Sequence, residues 1–140
     1  MSWRSIVAAA ALAEALLIAA AMLYMVIYGV LNPGHPEAFY QQHARVASPW
    51  VSLAAGIPIF FALGRWLTKR EKGSAVSLWA AWAVIDTIIL IAAAGFSGIY
   101  QILPFWVASH ATKFTSAWLG SKSGERTRKH TIETGPASQS

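Results

Sequence analysis

Cysteine is absent from the 140 residues, which excludes a disulfide, a thiolate metal site and a cysteine nucleophile. Charge is scarce too: Asp, Glu, Lys and Arg make up 12% of the chain, about half the share usual in a soluble domain. No P-loop, Gly-x-Gly-x-x-Gly, Ser/His/Asp set or zinc-protease motif occurs, so nucleotide binding and the common hydrolytic chemistries lack sequence support. No cofactor is implied, and an enzyme is the weakest functional class.

What is present is apolar length. Hydrophobic residues make up 56% of the chain, and they fall in long blocks, not in the stripes of a water-soluble core. Runs of about 20 apolar residues match the ~30 Å hydrocarbon layer. Four such blocks stand out, at about 5–31, 48–67, 74–99 and 102–120. The first opens after Arg4 like a signal peptide. Its length far exceeds the ~7–15 residues of a signal core, so it reads as a retained helix. Asn32-Pro33-Gly34-His35-Pro36 ends it, with Pro33 and Gly34 suited to the centre of a type II turn. Pro36 and Glu37 suit a new helix start, and residues 36–47 read as a short interfacial helix. Pro49 belongs in the first turn of the second block, whereas Pro58 lies inside it and should kink it. Residues 121–140 are polar, rich in Gly, Ser and Thr, and read as a disordered basic tail.

Charge placement orients the blocks. With four spans, one side receives Arg4, Arg65, Lys69, Arg70, Lys72, Lys122, Arg126, Arg128 and Lys129, and the other only Arg45. That asymmetry puts both termini inside by the positive-inside rule; with three spans the tail's basic residues would cross and weaken it. The expectation is an all-α integral membrane four-helix bundle of the cell membrane, of bacterial inner-membrane type, with cytoplasmic termini. The net charge of +5 then serves topology and anionic headgroups rather than nucleic acid. The partners expected are the lipid bilayer and either further copies of the chain or a larger membrane protein.

Aromatic residues support the same frame. Trp3, Trp66, Trp79 and Trp118 fall near the inner boundary, and Tyr28, Trp50, Tyr100 and Trp106 near the outer one, as interfacial belts do. Runs of Ala8 to Ala11 and Ala19 to Ala21, with Gly56, Gly64, Gly95 and Gly98, allow close helix approach. A tight bundle with little room for a large cavity follows.

Four ionisable residues lie within the blocks. At ~1.5 Å per residue, Asp86 sits about 17 Å, Glu14 about 14 Å, His110 about 15 Å and Lys113 about 10 Å from the inner end of its helix. A charge at a helix centre costs about 2.5–3.5 kcal/mol on insertion scales. Neutralising an aspartate at pH 7 costs about 4 kcal/mol, so neither state wins without a partner. Trp82, one turn before Asp86, is placed to donate its indole N–H to that carboxylate. Trp79, Trp82, Asp86, Ala93, Ser97 and Tyr100 form one lane, and Trp106, His110 and Lys113 another. Lys113 is expected to snorkel to the inner surface. A weak metal candidate, His35, Glu37 and His43, stands in the outer loop without matching a known ligand spacing.

Ala11-Leu12-Ala13-Glu14 in a chain of four short spans resembles the small multidrug resistance transporters. The resemblance covers those four residues and the helix count, and implies a first-helix glutamate that exchanges protons for cationic drugs. The long outer loop, Asp86 and the polar fourth block depart from that pattern. Two functional expectations result. In one, Glu14 and Asp86 carry or pair a proton or cation in a transport or transport-accessory protein. In the other, the chain is an assembly or membrane-stress protein whose buried charges lock helices or bind a partner.

Overall fold

The computed structural model describes residues 2–70 and 73–133, with side chains except those of 94, 96–102 and 128–133. Helix α1 spans Trp3–Leu31 and α2 spans Glu37–Lys69. Helical backbone then runs over Ala75–Glu133, broken at Gly95, where φ is 67° and ψ 177°. That conformation is essentially restricted to glycine. It divides the stretch into α3 (75–94) and α4 (96–133).

Among the described residues the structure is thus all-α with four helices. Among the described residues, α1, α2 and the segment Ala75–Ala93 are long and apolar enough to cross a membrane. The α1 residues Met22, Leu23, Val26 and Val30 are exposed, as are Val84 and Ile88 on α3. Apolar faces of that extent suit lipid rather than water.

Several boundaries differ from the sequence expectation. The 36–47 segment and the second block are one helix, continuous through both Pro49 and Pro58. Each proline removes a single ladder bond, and flanking turns retain the rest. The third block stops at Gly95 rather than 99. Residues 121–133, expected to be disordered, continue α4 as helix; 134–140 lie outside the described residues. The polar extension has a surface to dock on. Ser121 Oγ donates to the Gly64 carbonyl at 3.4 Å, Gly124 packs on the Arg65 backbone, and Lys122 pairs with Glu125 at 3.3 Å. The expected turn does form: Gly34 has φ 85°, the value its place in a type II turn requires. Tyr40 Oη closes it by donating to the Asn32 carbonyl at 2.6 Å.

The core joins Ala9, Ala10, Ala13 and Leu17 of α1 to Phe60 and Leu67 of α2, Leu78 and Trp82 of α3, and Ala117 of α4. Helices α2 and α4 run parallel along a seam of small residues. A Cβ on Gly64 would strike the Ala117 carbonyl, and one on Gly120 the Phe61 carbonyl. Close backbone approach replaces the hydrophobic drive that lipid removes. Gly64→Ala is therefore expected to lower stability by about 1–3 kcal/mol through overpacking. Among the described residues nothing lies within 4 Å of a Cβ built on Gly29, so Gly29→Ala should gain about 0.5–1 kcal/mol of helix propensity. Unfolding midpoints in mixed micelles separate the two; similar changes at both sites would contradict the seam.

Candidate functional site

Glu14 and Asp86 each lie eleven residues past the start of their helices, Trp3 and Ala75. Gly73, just before α3, meets Ile6 near the start of α1, so equal rise puts both about 17 Å along two helices that begin close together. The buried lanes of α3 and α4 then meet between them. His110 lies against Trp82, with ring centroids 4.7 Å apart, and its Nε2 is 3.8 Å from Asp86 Oδ2. Its Nδ1 is 3.0 Å from the Trp106 carbonyl, one turn back on α4. Trp106 adjoins the Asp86 carboxylate without a regular indole hydrogen bond.

Trp82 is the hub. It is fully buried and stands edge-on to Phe60 at 4.9 Å. Its indole Nε1–H donates to Glu14 Oε2 at 2.8 Å. This corrects the expected bond to Asp86. The carboxylate one turn along α3 turns towards α4, while the indole reaches the neighbouring α1.

Lys113 also departs from expectation. It is 2% exposed and does not snorkel. Its stem fills the gap left by Gly56, where an added Cβ would fall 2.7 Å from Lys113 Cε. Its Nζ donates to Ser52 Oγ at 2.9 Å. Ser52 is one turn nearer the start of α2 than Gly56, so the ammonium points away from the basic end that carries Arg65 and Lys69. The same nitrogen stands 4.4 Å above the Trp82 ring, a cation–π placement. Lys113 interacts electrostatically with both Asp86 and Glu14. All four helices therefore contribute: Glu14, Ser52, Trp82 with Asp86, and His110 with Lys113. Ser52 was not anticipated, and the hint available was a hydroxyl one turn from a glycine in an apolar block.

Two tryptophans expected in the interfacial belts turn inward instead. Trp79 stacks edge-on to His110 at 6.2 Å and Phe114 at 5.5 Å, and the indole nitrogens of Trp79 and Trp106 are both buried. Trp3, Trp50, Trp66 and Trp118 stay exposed, as membrane anchors would. Ser97 and Tyr100 lie outside the residues with described side chains.

The weak metal candidate is not assembled. His35 stacks on Phe39 at 4.1 Å and His43 on Tyr28 at 3.6 Å. Tyr24 Oη and His43 Nε2 are 3.0 Å apart, and Glu37 accepts a bond from Gln41 at 2.7 Å. Among the described residues no three His, Asp or Glu side chains gather to hold a metal ion. The loop between α1 and α2, with its flanking turns, is an aromatic clasp joining the two helices. The chain matches no protein-family model, no curated protein and no solved structure.

Proposed function

We propose that this chain is a four-span membrane protein of transport or transport-accessory type, in which Glu14 and Asp86 carry or pair a proton or cation. The observation behind the proposal is the convergence of Glu14, His110 and Lys113 on the fully buried Trp82 indole, with Asp86 3.8 Å from His110. Ionisable groups at such depth are costly in a bilayer, and they are kept where they face a pathway or one another.

The fourth span is supported by the way α4 shadows α2. Phe105 packs against Trp50 at 4.8 Å, and Gly124 meets Arg65. The stretch between Phe105 and Gly124 rises about 28 Å, close to the hydrocarbon thickness. A common side for both termini is supported at the basic end. There Gly73, just past the end of α2, touches Ile6 near the start of α1, and Gly124 touches Arg65. Arg4, Arg65, Lys69, Lys122 and Arg126 thus share one end of the bundle, the pattern of a cytoplasmic face.

A second reading is favoured by the α2–α4 seam. In it the charges only lock helices of an assembly or stress protein. Reconstitution separates the two. Protein in liposomes enclosing a pH-sensitive dye should relax an imposed pH gradient faster than empty liposomes. Glu14→Gln with Asp86→Asn should abolish the excess. Unchanged flux with a lowered unfolding midpoint would favour the locking role.

A further inference from the structure

We infer that Asp86 and His110 together form a binding site for a single shared proton, so that the proton, rather than a metal ion or an organic cation, is what this cluster handles. The inference deepens the transport reading above and rests on it. It starts from an asymmetry in the His110 ring. The Trp106 carbonyl can only accept a hydrogen bond, and it lies 3.0 Å from Nδ1, so Nδ1 must carry hydrogen. In neutral imidazole the other nitrogen is then a bare lone pair. That nitrogen, Nε2, is buried without a hydrogen-bond partner and faces Asp86 Oδ2 at 3.8 Å. An ionised carboxylate offers acceptors only. Two acceptors opposed in a partly buried site repel, and one proton on either of them turns the repulsion into attraction.

The other surrounding donors are committed elsewhere; the Trp106 indole adjoins the Asp86 carboxylate without a regular hydrogen bond. From α3, Trp82 gives its N–H to Glu14, and Trp79 presents a ring edge to His110. On α4, Lys113 gives its ammonium to Ser52 of α2. Glu14 of α1 stands behind Trp82. None of these groups supplies the hydrogen that the Asp86–His110 gap lacks.

Charge leads to the same count. With Lys113 positive and Glu14 and Asp86 negative, the cluster is neutral when His110 is protonated and carries one negative charge when it is not. A low-dielectric interior favours the neutral state. The internal step also balances: the proton leaves the imidazolium Nε2 and bonds to Asp86 Oδ2, giving neutral imidazole and a carboxylic acid with no change in total charge. A metal ion would compete with the Lys113 ammonium, which already occupies the cationic position. Relay in either direction needs only a small closing of the 3.8 Å gap.

The test is nitrogen NMR of imidazole-labelled protein in lipid nanodiscs, with the His110 resonances identified by their loss in His110→Gln. Nδ1 should stay protonated throughout, while Nε2 and the infrared band of one carboxylic acid titrate together as one proton per chain. Asp86→Asn supplies an amide donor to Nε2 and leaves the cluster neutral without the proton, so His110 should stay neutral and the shared proton should vanish. Asp86→Glu should retain it. Hydrogen on Nε2 rather than Nδ1 in the deprotonated wild type would overturn the inference, as would a shared proton that survives Asp86→Asn. The wild-type tautomer alone decides the matter if the asparagine variant does not fold. The two readings fail separately. A missing shared proton with flux still dependent on Glu14 and Asp86 removes the pair but leaves transport. A shared proton in a protein whose flux ignores both acids keeps the pair and removes transport.

Discussion

Replacing Lys113 by methionine should destabilise the protein by about 3–5 kcal/mol, the cost of removing one partner from a buried charge set. Methionine matches the stem and fills the space beside Gly56, so packing is nearly conserved. What disappears is the only positive charge among the four groups that does not depend on His110 protonation. Ser52 Oγ loses its donor, the Trp82 face loses its cation, and the Glu14 and Asp86 carboxylates lose the charge that offsets them. Neutralising the acids as well, by adding Glu14→Gln and Asp86→Asn, should recover most of the loss, because a whole buried ion set can be replaced at little net cost. Unfolding midpoints of the single and triple variants, read by tryptophan fluorescence, check both statements. A single variant within about 1 kcal/mol of wild type would place the ammonium outside any meaningful interaction with the acids.

Trp82→Ala should be comparably damaging, at about 3–5 kcal/mol. The side chain is fully buried and touches Phe60 of α2 and His110 of α4 while bonding Glu14 of α1. Its removal opens a cavity where all four helices meet. Trp82→Phe keeps most of the volume and both aromatic contacts but leaves the Glu14 carboxylate without a donor. The expected cost is roughly 1.5–3 kcal/mol, the range for a hydrogen bond to a charged group. If Trp82→Phe matches wild type, the indole N–H contributes nothing to Glu14. A double substitution with Glu14→Gln isolates that pairwise contribution.

The helices and the site were unequally legible in the sequence. Depth was legible, since helical rise is constant: Glu14 and Asp86 could be assigned nearly one level by counting from the block starts near residues 5 and 74. The facing lanes were legible for the same reason, because Trp82, Asp86, Trp106, His110 and Lys113 repeat at helical spacing. Choice of partner was not. Whether Trp82 turns to its own helix or to α1 depends on how Ala10 and Ala13 let α1 approach. Likewise, the direction of Lys113 depends on Gly56, 57 positions earlier in the chain. The helicity of residues 121–133 was hidden because composition argued for disorder, whereas contact with the end of α2 supplies the support that composition withholds.

The break at Gly95 has a mechanical consequence. Among the described residues nothing lies within 4 Å of a Cβ built there, yet φ is +67°, so any other residue would strain the backbone by about 1–3 kcal/mol. Asp86 and His110 stand on opposite arms of this elbow, each well away from the pivot. A few degrees of opening at one peptide would be levered into a change of the acid–imidazole separation, with no contact at the site itself altered first.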